Sequence, residues 1–501
     1  MTQKSRGLFY PGLIIFASKM LSIVTGLVFQ LMIARATSLP GHEPEYDLWF
    51  NINDILMYFT LLAGVLPFWI MRFAAREKEG ATKTGILANL TIAIIATLIY
   101  LPLIPTITSL LNIGERYVFL YAILSVQIIE IHLLSVLEAY LQAKIPQKIG
   151  YGLLLQQFFK VVLGYILVIQ IQQPLLGAIT TSMLALFIQV IYYSRLLDGE
   201  WKEKVRWRYV KEWVKGSILN IYHVAGNQIA AYVLIMLFAF GGEGARGRYG
   251  AANQIASVIT YAYFLAYALY PKLLADRRRG DVILSLRMVL MFAIPMTVGV
   301  MVLSDSYIVI MKGTMYRDAA FVLIVLAINA FLIVISGFLN SVLFGFERVD
   351  EVANISFKAL IKSRLIVPFS LPYIHSIITL PTAFYFLNMY TKNQPFQSAL
   401  YVSLINASAH LVSFLVLYNT VNKVVKIDVP WENIKKYLLA SAVMVVVLLL
   451  VPHPTKISLT LLATAMGAII YLSVLTAIDK ETRALLFWMW REMKHTFLGF
   501  G

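Results

Sequence analysis

The sequence predicts an all-α polytopic membrane protein with about fourteen transmembrane helices, arranged as two pseudo-symmetric six-helix lobes and a C-terminal helix pair. Three observations carry this prediction. Of 501 residues, 59% are hydrophobic and only 14% charged, where a globular chain carries roughly 25% charged residues, and the mean hydropathy is +0.76. The apolar residues fall in long continuous runs, each able to cross about 30 Å of hydrocarbon as a helix. Lys and Arg concentrate in alternate connections. A transmembrane barrel is excluded because its strands alternate polar and apolar over about ten residues.

Lys4 and Arg6 precede the first run, which continues to Ala34 without a small-residue cleavage site and is expected to be a retained span. Spans then follow near 8–35, 47–71, 86–112, 117–140, 150–171 and 174–195. A basic amphipathic stretch at 197–215 separates them from spans near 216–240, 250–271, 283–304, 319–345, 354–389 and 396–420. A second basic stretch, 421–436, precedes spans near 437–453 and 457–477. The expected domains are a lobe at 1–196, a linker at 197–215, a lobe at 216–420, a linker at 421–436, an extra pair at 437–478 and an amphipathic tail at 479–501 carrying Trp488 and Trp490.

Placing both termini in the cytoplasm puts most of the 42 Lys and Arg on cytoplasmic connections, as the positive-inside rule requires. The expected location is the cell membrane. The net charge of +16 then faces anionic lipid headgroups and calls for no nucleic-acid partner. With no Cys and seven His, disulfides and thiolate metal sites are excluded, and neither a metal nor a cofactor is expected. Gly242-Glu243-Gly244-Ala245-Arg246-Gly247 matches G-x-G-x-x-G, yet it lies in a short connection between apolar runs with no strand before it and is not a nucleotide site. No P-loop motif occurs, and no connection is large enough to house an aqueous active site, so the chain is expected not to be an enzyme. Asn89, Asn354 and Asn406 begin N-x-[ST] triplets within or beside spans and are not glycan acceptors.

Two echoes divide the chain. Val205, Trp207, Val210, Lys211, Trp213 and Ser217 recur as Val429, Trp431, Ile434, Lys435, Tyr437 and Ser441, each time before a span, and read as interfacial helices. Tyr46, Ile52, Ile55, Leu56 and Tyr58 recur as Tyr249, Ile255, Val258, Ile259 and Tyr261, with Pro67 answered by Pro271. Two halves in the same orientation with a site between them are the expected design.

An ionised side chain at bilayer depth costs about 2.5–3.5 kcal/mol even on the lenient scale, so each one is a candidate site residue. Lys19 lies midway along the first run, Lys160 in the fifth, and Lys358, Lys362 and Arg364 in the eleventh, where Pro368 and Pro372 are expected to kink the helix. At the spacing of the second echo, Lys160 falls opposite Ser363, between Lys362 and Arg364. Lys358 also lies within snorkelling reach of the headgroups. The acids at depth are Asp54, Glu130 and Glu138, and their pairing with Lys19 or Lys160 stays open. Asn51, Asn53, Asn220, Asn227, Asn253 and Gln254 suit either sugar hydroxyls or neighbouring helices. Incomplete pairing leaves an electropositive cavity that attracts a phosphate or pyrophosphate group.

The pattern resembles the multidrug/oligosaccharidyl-lipid/polysaccharide (MOP) flippase superfamily, in particular its Wzx-like polysaccharide biosynthesis branch. The resemblance rests on the six-plus-six arrangement, Ser18-Lys19 through Ile33-Ala34-Arg35, Leu66-Pro67 with Arg72, and the Trp-containing basic stretches. It implies two bundles that rock between inward- and outward-open states to move a polyprenyl- or dolichyl-linked (pyro)phosphate oligosaccharide, with Lys19, Lys160, Lys362 and Arg364 holding the phosphate. It also implies membrane lipids and glycan-pathway membrane enzymes as partners of a monomer. Two alternatives belong to the same superfamily. Lipid II flippases show S-R-x-x-G-x-x-R-D in the first span, where this chain aligns Lys19 but has Thr25 and Gly26 in place of the second Arg and Asp. Cation-coupled drug exporters rely on an acid in the first span, which this chain lacks.

Overall fold

The computed structural model describes residues 18, 21, 22, 24–197, 199–266, 279–346, 364, 366–451 and 453–484. Among them eleven helices are long and apolar enough to cross a membrane, and one bent pair makes a twelfth. The chain is an all-α polytopic membrane protein. Helices suit this solvent because each satisfies its own backbone groups where no water is present.

The described residues form two compact units, one of Met1–Gly247 with Leu380–Ser398, the other of Arg248–Thr379 with Ala399–Gly501. The first holds α1 (Val24–Ala36), α2 (Glu43–Phe59), α3 (Pro67–Ala75), α4 (Ala81–Leu110), α5 (Glu115–Ile123), α6 (Ser125–Lys144), α7 (Gln147–Gly164), α8 (Pro174–Ser194), α9 (Trp207–Gly216) and α10 (Ile218–Phe240). Helix α6 is central and packs against α3, α4 and α8. Leu66, Ile70, Val136, Leu141, Tyr193 and Trp213 are buried in the core around it.

Helices α2 and α3 are the predicted second span, broken by a 3-10 turn at Leu61–Gly64 and bent by 55°. Pro67 has no N–H to give, so the turn cannot continue as α-helix. The freed carbonyl of Ala63 accepts from Ser135 Oγ (2.9 Å) and Asn89 Nδ2 (3.3 Å), and Asn89 also donates to the His132 carbonyl (2.7 Å). Asn89 is wholly buried and is thus the polar staple that makes the break tolerable in lipid.

The basic stretch after α8 is anchored. Trp213 on α9 is fully buried against Phe73 and Tyr209, while Trp207 is exposed. The Glu203 carboxylate accepts from the Gly80 backbone N–H, and Arg206 pairs with Glu79. Gly80 has φ +71°, and a Cβ there would collide with the Lys204 carbonyl. Helix α9 ends at Gly216, whose bare Cα lets Trp69 lie against the backbone, and Trp69 Nε1 donates to Ser217 Oγ at 3.0 Å.

Helix α11 (Ala245–Ser257) begins in the first unit and ends in the second, which then contains a 3-10 stretch, Val258–Ala266, α12 (Arg279–Val302), α13 (Ser304–Lys312), α14 (Ala319–Phe346), α17 (Trp431–Leu450) and α18 (Ile457–Ile478). Helix α15 (Ile366–Met389) and α16 (Pro395–Asn422) each contribute residues to both units. Helix α12 packs against α14, α17 and the 3-10 stretch. The last pair is tied to it by the Tyr471 hydroxyl, which donates to the Met291 carbonyl (2.7 Å), and by the Arg287–Glu481 pair (2.7 Å). Unlike its echo, the second basic stretch runs into its span without interruption, since α17 begins at Trp431. Ala440 stands there where Gly216 ends α9, and alanine holds a helix that glycine weakens by about 1 kcal/mol.

Candidate functional site

Lys160 lies on α7, its ammonium 4.8 Å from the centre of the Phe29 ring on α1. Gln157, one turn earlier, accepts from the Thr25 hydroxyl at 3.0 Å and donates to Gln156 Oε1 at 2.9 Å. Gly164 permits this closeness, because a Cβ there would press on Phe29 at 2.8 Å. The result is a polar seam of Thr25, Gln156, Gln157 and Lys160 between two apolar helices. Among the described residues no carboxylate pairs with Lys160. Thr25, which stands where the resemblance would have put an Arg, is one of its hydrogen-bonding members.

Asp54 is committed elsewhere. Its carboxylate takes a two-pronged pair from Arg246, Nε to Oδ2 at 2.6 Å and a terminal guanidinium nitrogen to Oδ1 at 2.8 Å, with both side chains buried. The guanidinium also sits 4.8 Å from the centre of the Phe50 ring. One turn before Phe50, Asp47 accepts the backbone N–H groups of Gly244 (2.5 Å) and Gly247 (2.6 Å). Helix α11 starts at Ala245, so Asp47 satisfies orphan donors of its first turn and places negative charge at its positive end. Gly244, at φ +85°, reaches a conformation that side chains resist. The G-x-G-x-x-G stretch therefore binds a carboxylate of its own chain. Glu45 repeats the device at the start of α8, accepting from the Leu175 N–H at 3.0 Å.

The other predicted residues separate. Asn53 turns back on its own helix, donating to the Trp49 carbonyl at 2.5 Å. Glu130, on α6, is buried, and its Oε2 has no hydrogen-bond partner among the described residues. Asn51 accepts from the Tyr121 hydroxyl at 2.6 Å. Arg364 is exposed and donates to the Lys423 carbonyl at 3.1 Å. Lys19, Lys358 and Lys362 lie outside the described residues. Sequence reasoning missed Asp47 and Arg246. The legible signal was the spacing of Asp47 and Asp54, seven residues apart on one helical face, with Arg246 and Arg248 in a glycine-rich stretch to answer them.

The described helices share their fold with solved transporters, among them MATE family members of the MOP superfamily. Over 94% of this chain and 99% of the other, the structure is similar to the lipid II flippase MurJ in an inward closed conformation, with a TM-score of 0.69 and 17% identity. It is similar to a multidrug resistance MATE family transporter in the inward-facing conformation over 82% and 98% of the two chains, with a TM-score of 0.59 and 13% identity. The outward-facing conformation of a MATE family transporter gives 0.56 and 14%, over 82% and 95%. No protein-family model matches the sequence, and no curated protein resembles it significantly in sequence.

Proposed function

We propose that this protein is a flippase that moves a polyprenyl- or dolichyl-linked (pyro)phosphate oligosaccharide from the cytoplasmic to the outer leaflet of the cell membrane by alternating access, without catalysis. The observation that carries the reading is Lys160, a cation within a membrane span that no described carboxylate pairs with. A fixed positive charge in a low-dielectric bundle is costly unless a mobile anion neutralises it, and a lipid-linked phosphate is such an anion. In this reading Lys160 and Lys19 take the phosphate, Lys358, Lys362 and Arg364 are further candidate cations for it, and Glu130, whose Oε2 has no hydrogen-bond partner among the described residues, is left to meet the sugar, because Asp54 is held by Arg246 and Asn53 by the Trp49 carbonyl. The similarity of fold to a lipid II flippase supports a flippase reading.

The same similarity, running over almost the whole of both chains, favours lipid II itself as a second reading. Against it stand Thr25 and Gly26 in the first helix. Cation-coupled drug export is the third reading, supported by the likeness to MATE transporters.

The deciding experiment measures flipping of a fluorescent lipid-linked oligosaccharide in proteoliposomes by the parent protein, Lys160→Ala and Lys19→Ala. Flipping lost in correctly folded variants supports the proposal. Flipping of lipid II alone moves the protein to the second reading, and uptake of cationic dyes without flipping moves it to the third.

A further inference from the structure

Two histidines meet inside the second unit. His375, on α15, and His410, on α16, have ring centroids 4.3 Å apart and planes tilted by 39°. Each lies well inside a candidate span, Ile366–Met389 or Pro395–Asn422. His410 Nδ1 is 2.6 Å from Asn329 Oδ1 on α14, so that nitrogen carries a hydrogen and Nε2 is left as the basic one. His375 is only 7% exposed, and neither of its ring nitrogens makes a hydrogen bond of ordinary geometry, although the Asn406 backbone approaches it.

Apolar packing does not account for this arrangement. A neutral imidazole buried with donor and acceptor both unmet costs about 1–3 kcal/mol for each lost partner, and a leucine would fill the place without that cost. The surroundings say what the rings are suited to. Among the described residues the titratable ring in contact with each histidine is the other one. Helix α14 offers the neutral Asn329, and on α16 the Asn406 amide, one turn from His410, donates to the Tyr249 hydroxyl from α11 at 3.1 Å. Among the described residues no carboxylate faces the pair and no cluster of metal-ligating side chains includes it. Two stacked imidazoles can share one added positive charge, while a second would set like charges about 4 Å apart in a low dielectric.

We propose that His375, His410 and Asn329 form a proton-binding site of capacity one. It takes its proton in a conformation where water reaches the rings and releases it when the spans close to the arrangement seen here. Desolvation fixes the sign. Among the described residues no counter-charge faces the rings, so an added proton there is stabilised by water, in a conformation that admits it, and not by a protein anion. By reciprocity the proton must favour the open conformation: acidification depletes the closed form and alkalinity restores it. Under the flippase reading such a site would make translocation sensitive to pH, but neither of the following measurements uses a glycan or a lipid carrier, so each tests the site apart from that reading.

The full-length protein in lipid nanodiscs, labelled with 15N-histidine, is titrated through about pH 5–8, where imidazoles report. Two of its seven histidines should titrate together, taking up one proton between them, and His375→Gln should abolish or shift the response of His410 and the reverse. Two independent full titrations, no titration of either ring, or displacement of the signals by zinc at micromolar levels would overturn the proposal. Because the chain has no Cys, a single Ser413→Cys, one turn beyond His410, reports access to the site. Its alkylation rate, divided by the rate in a Ser413→Cys/His410→Gln background at the same pH, should rise as pH falls. A ratio independent of pH in both His410→Gln and His375→Gln backgrounds sinks the idea.

Discussion

Arg246 grips Asp54 by two hydrogen bonds, 2.6 and 2.8 Å long, in a site where both side chains are buried. This pair joins the start of α11 to the middle of α2, and Asp47 doubles the junction one helical turn before Phe50 by capping the same helix end. An acid that sequence alone left free to neutralise Lys160 is thereby removed from that role.

Removing one partner strands the other as a buried charge. Arg246→Met and Asp54→Leu should each lower stability by about 3–5 kcal/mol, whereas the double variant should recover most of the loss. Thermal unfolding of the detergent-purified variants decides it. Equal, additive losses in a double-mutant cycle would show that the two residues act independently.

Asn89 holds the bend between α2 and α3 by serving the Ala63 and His132 carbonyls. Asn89→Leu should cost about 1–3 kcal/mol for the carbonyls left unmet. Ser135→Ala should cost less, because Asn89 still reaches Ala63. Hydrogen exchange should speed up at residues 60–66 in the Asn89 variant, and unchanged protection there would refute the stapling role.

Trp213 is wholly buried under α3. Trp213→Ala should destabilise the first unit by about 3–5 kcal/mol, while Trp207→Ala, at an exposed position, should be near neutral in detergent. Proteolysis at 197–206 should follow the first variant and spare the second.

Lys160→Ala removes a cation that lacks a counter-ion among the described residues, so folding stability should hold or rise while flipping falls. Lys160→Arg should retain part of the transport. A variant that loses stability and transport together would assign Lys160 a structural role instead.

Asp479 lies just beyond α18. Burial on its own would raise its pKa, but hydrogen bonds from Thr482 and Lys436 and the Lys436 charge outweigh that and hold the carboxyl below its ordinary value. A carboxyl with a depressed folded-state pKa contributes stability that is complete above its unfolded pKa, about 4, and disappears as pH falls through the folded value. Acid unfolding of the parent should therefore include a component below about pH 4 that Asp479→Asn lacks. Identical acid profiles would exclude it.

The second span was expected unbroken at 47–71, and its break before Pro67 was not read, although a missing N–H is a local fact. The apolar runs marked the spans, because crossing hydrocarbon is decided by the composition of one segment at a time. Lys160 stood out because an ion at depth is anomalous whatever surrounds it. The partner of Asp54 was not legible, since Arg246 lies 192 positions away and reaches it only after α2 and the start of α11 have packed.

The same division holds throughout. By itself the sequence determined that lipid is this chain's solvent, where twelve of the fourteen expected spans lie among the described residues, and which charges stand out there. Tertiary structure alone decided which charges are answered. Asp54 and Asp47 are matched by Arg246 and a helix end, Lys160 has only an aromatic face among the described residues, and two histidines 35 positions apart are stacked at a ring distance of 4.3 Å. The physical reason is range. Hydrophobic burial in a membrane is additive along the chain, whereas ion pairing and hydrogen bonding depend on distances of about 3 Å that only the packed helices set.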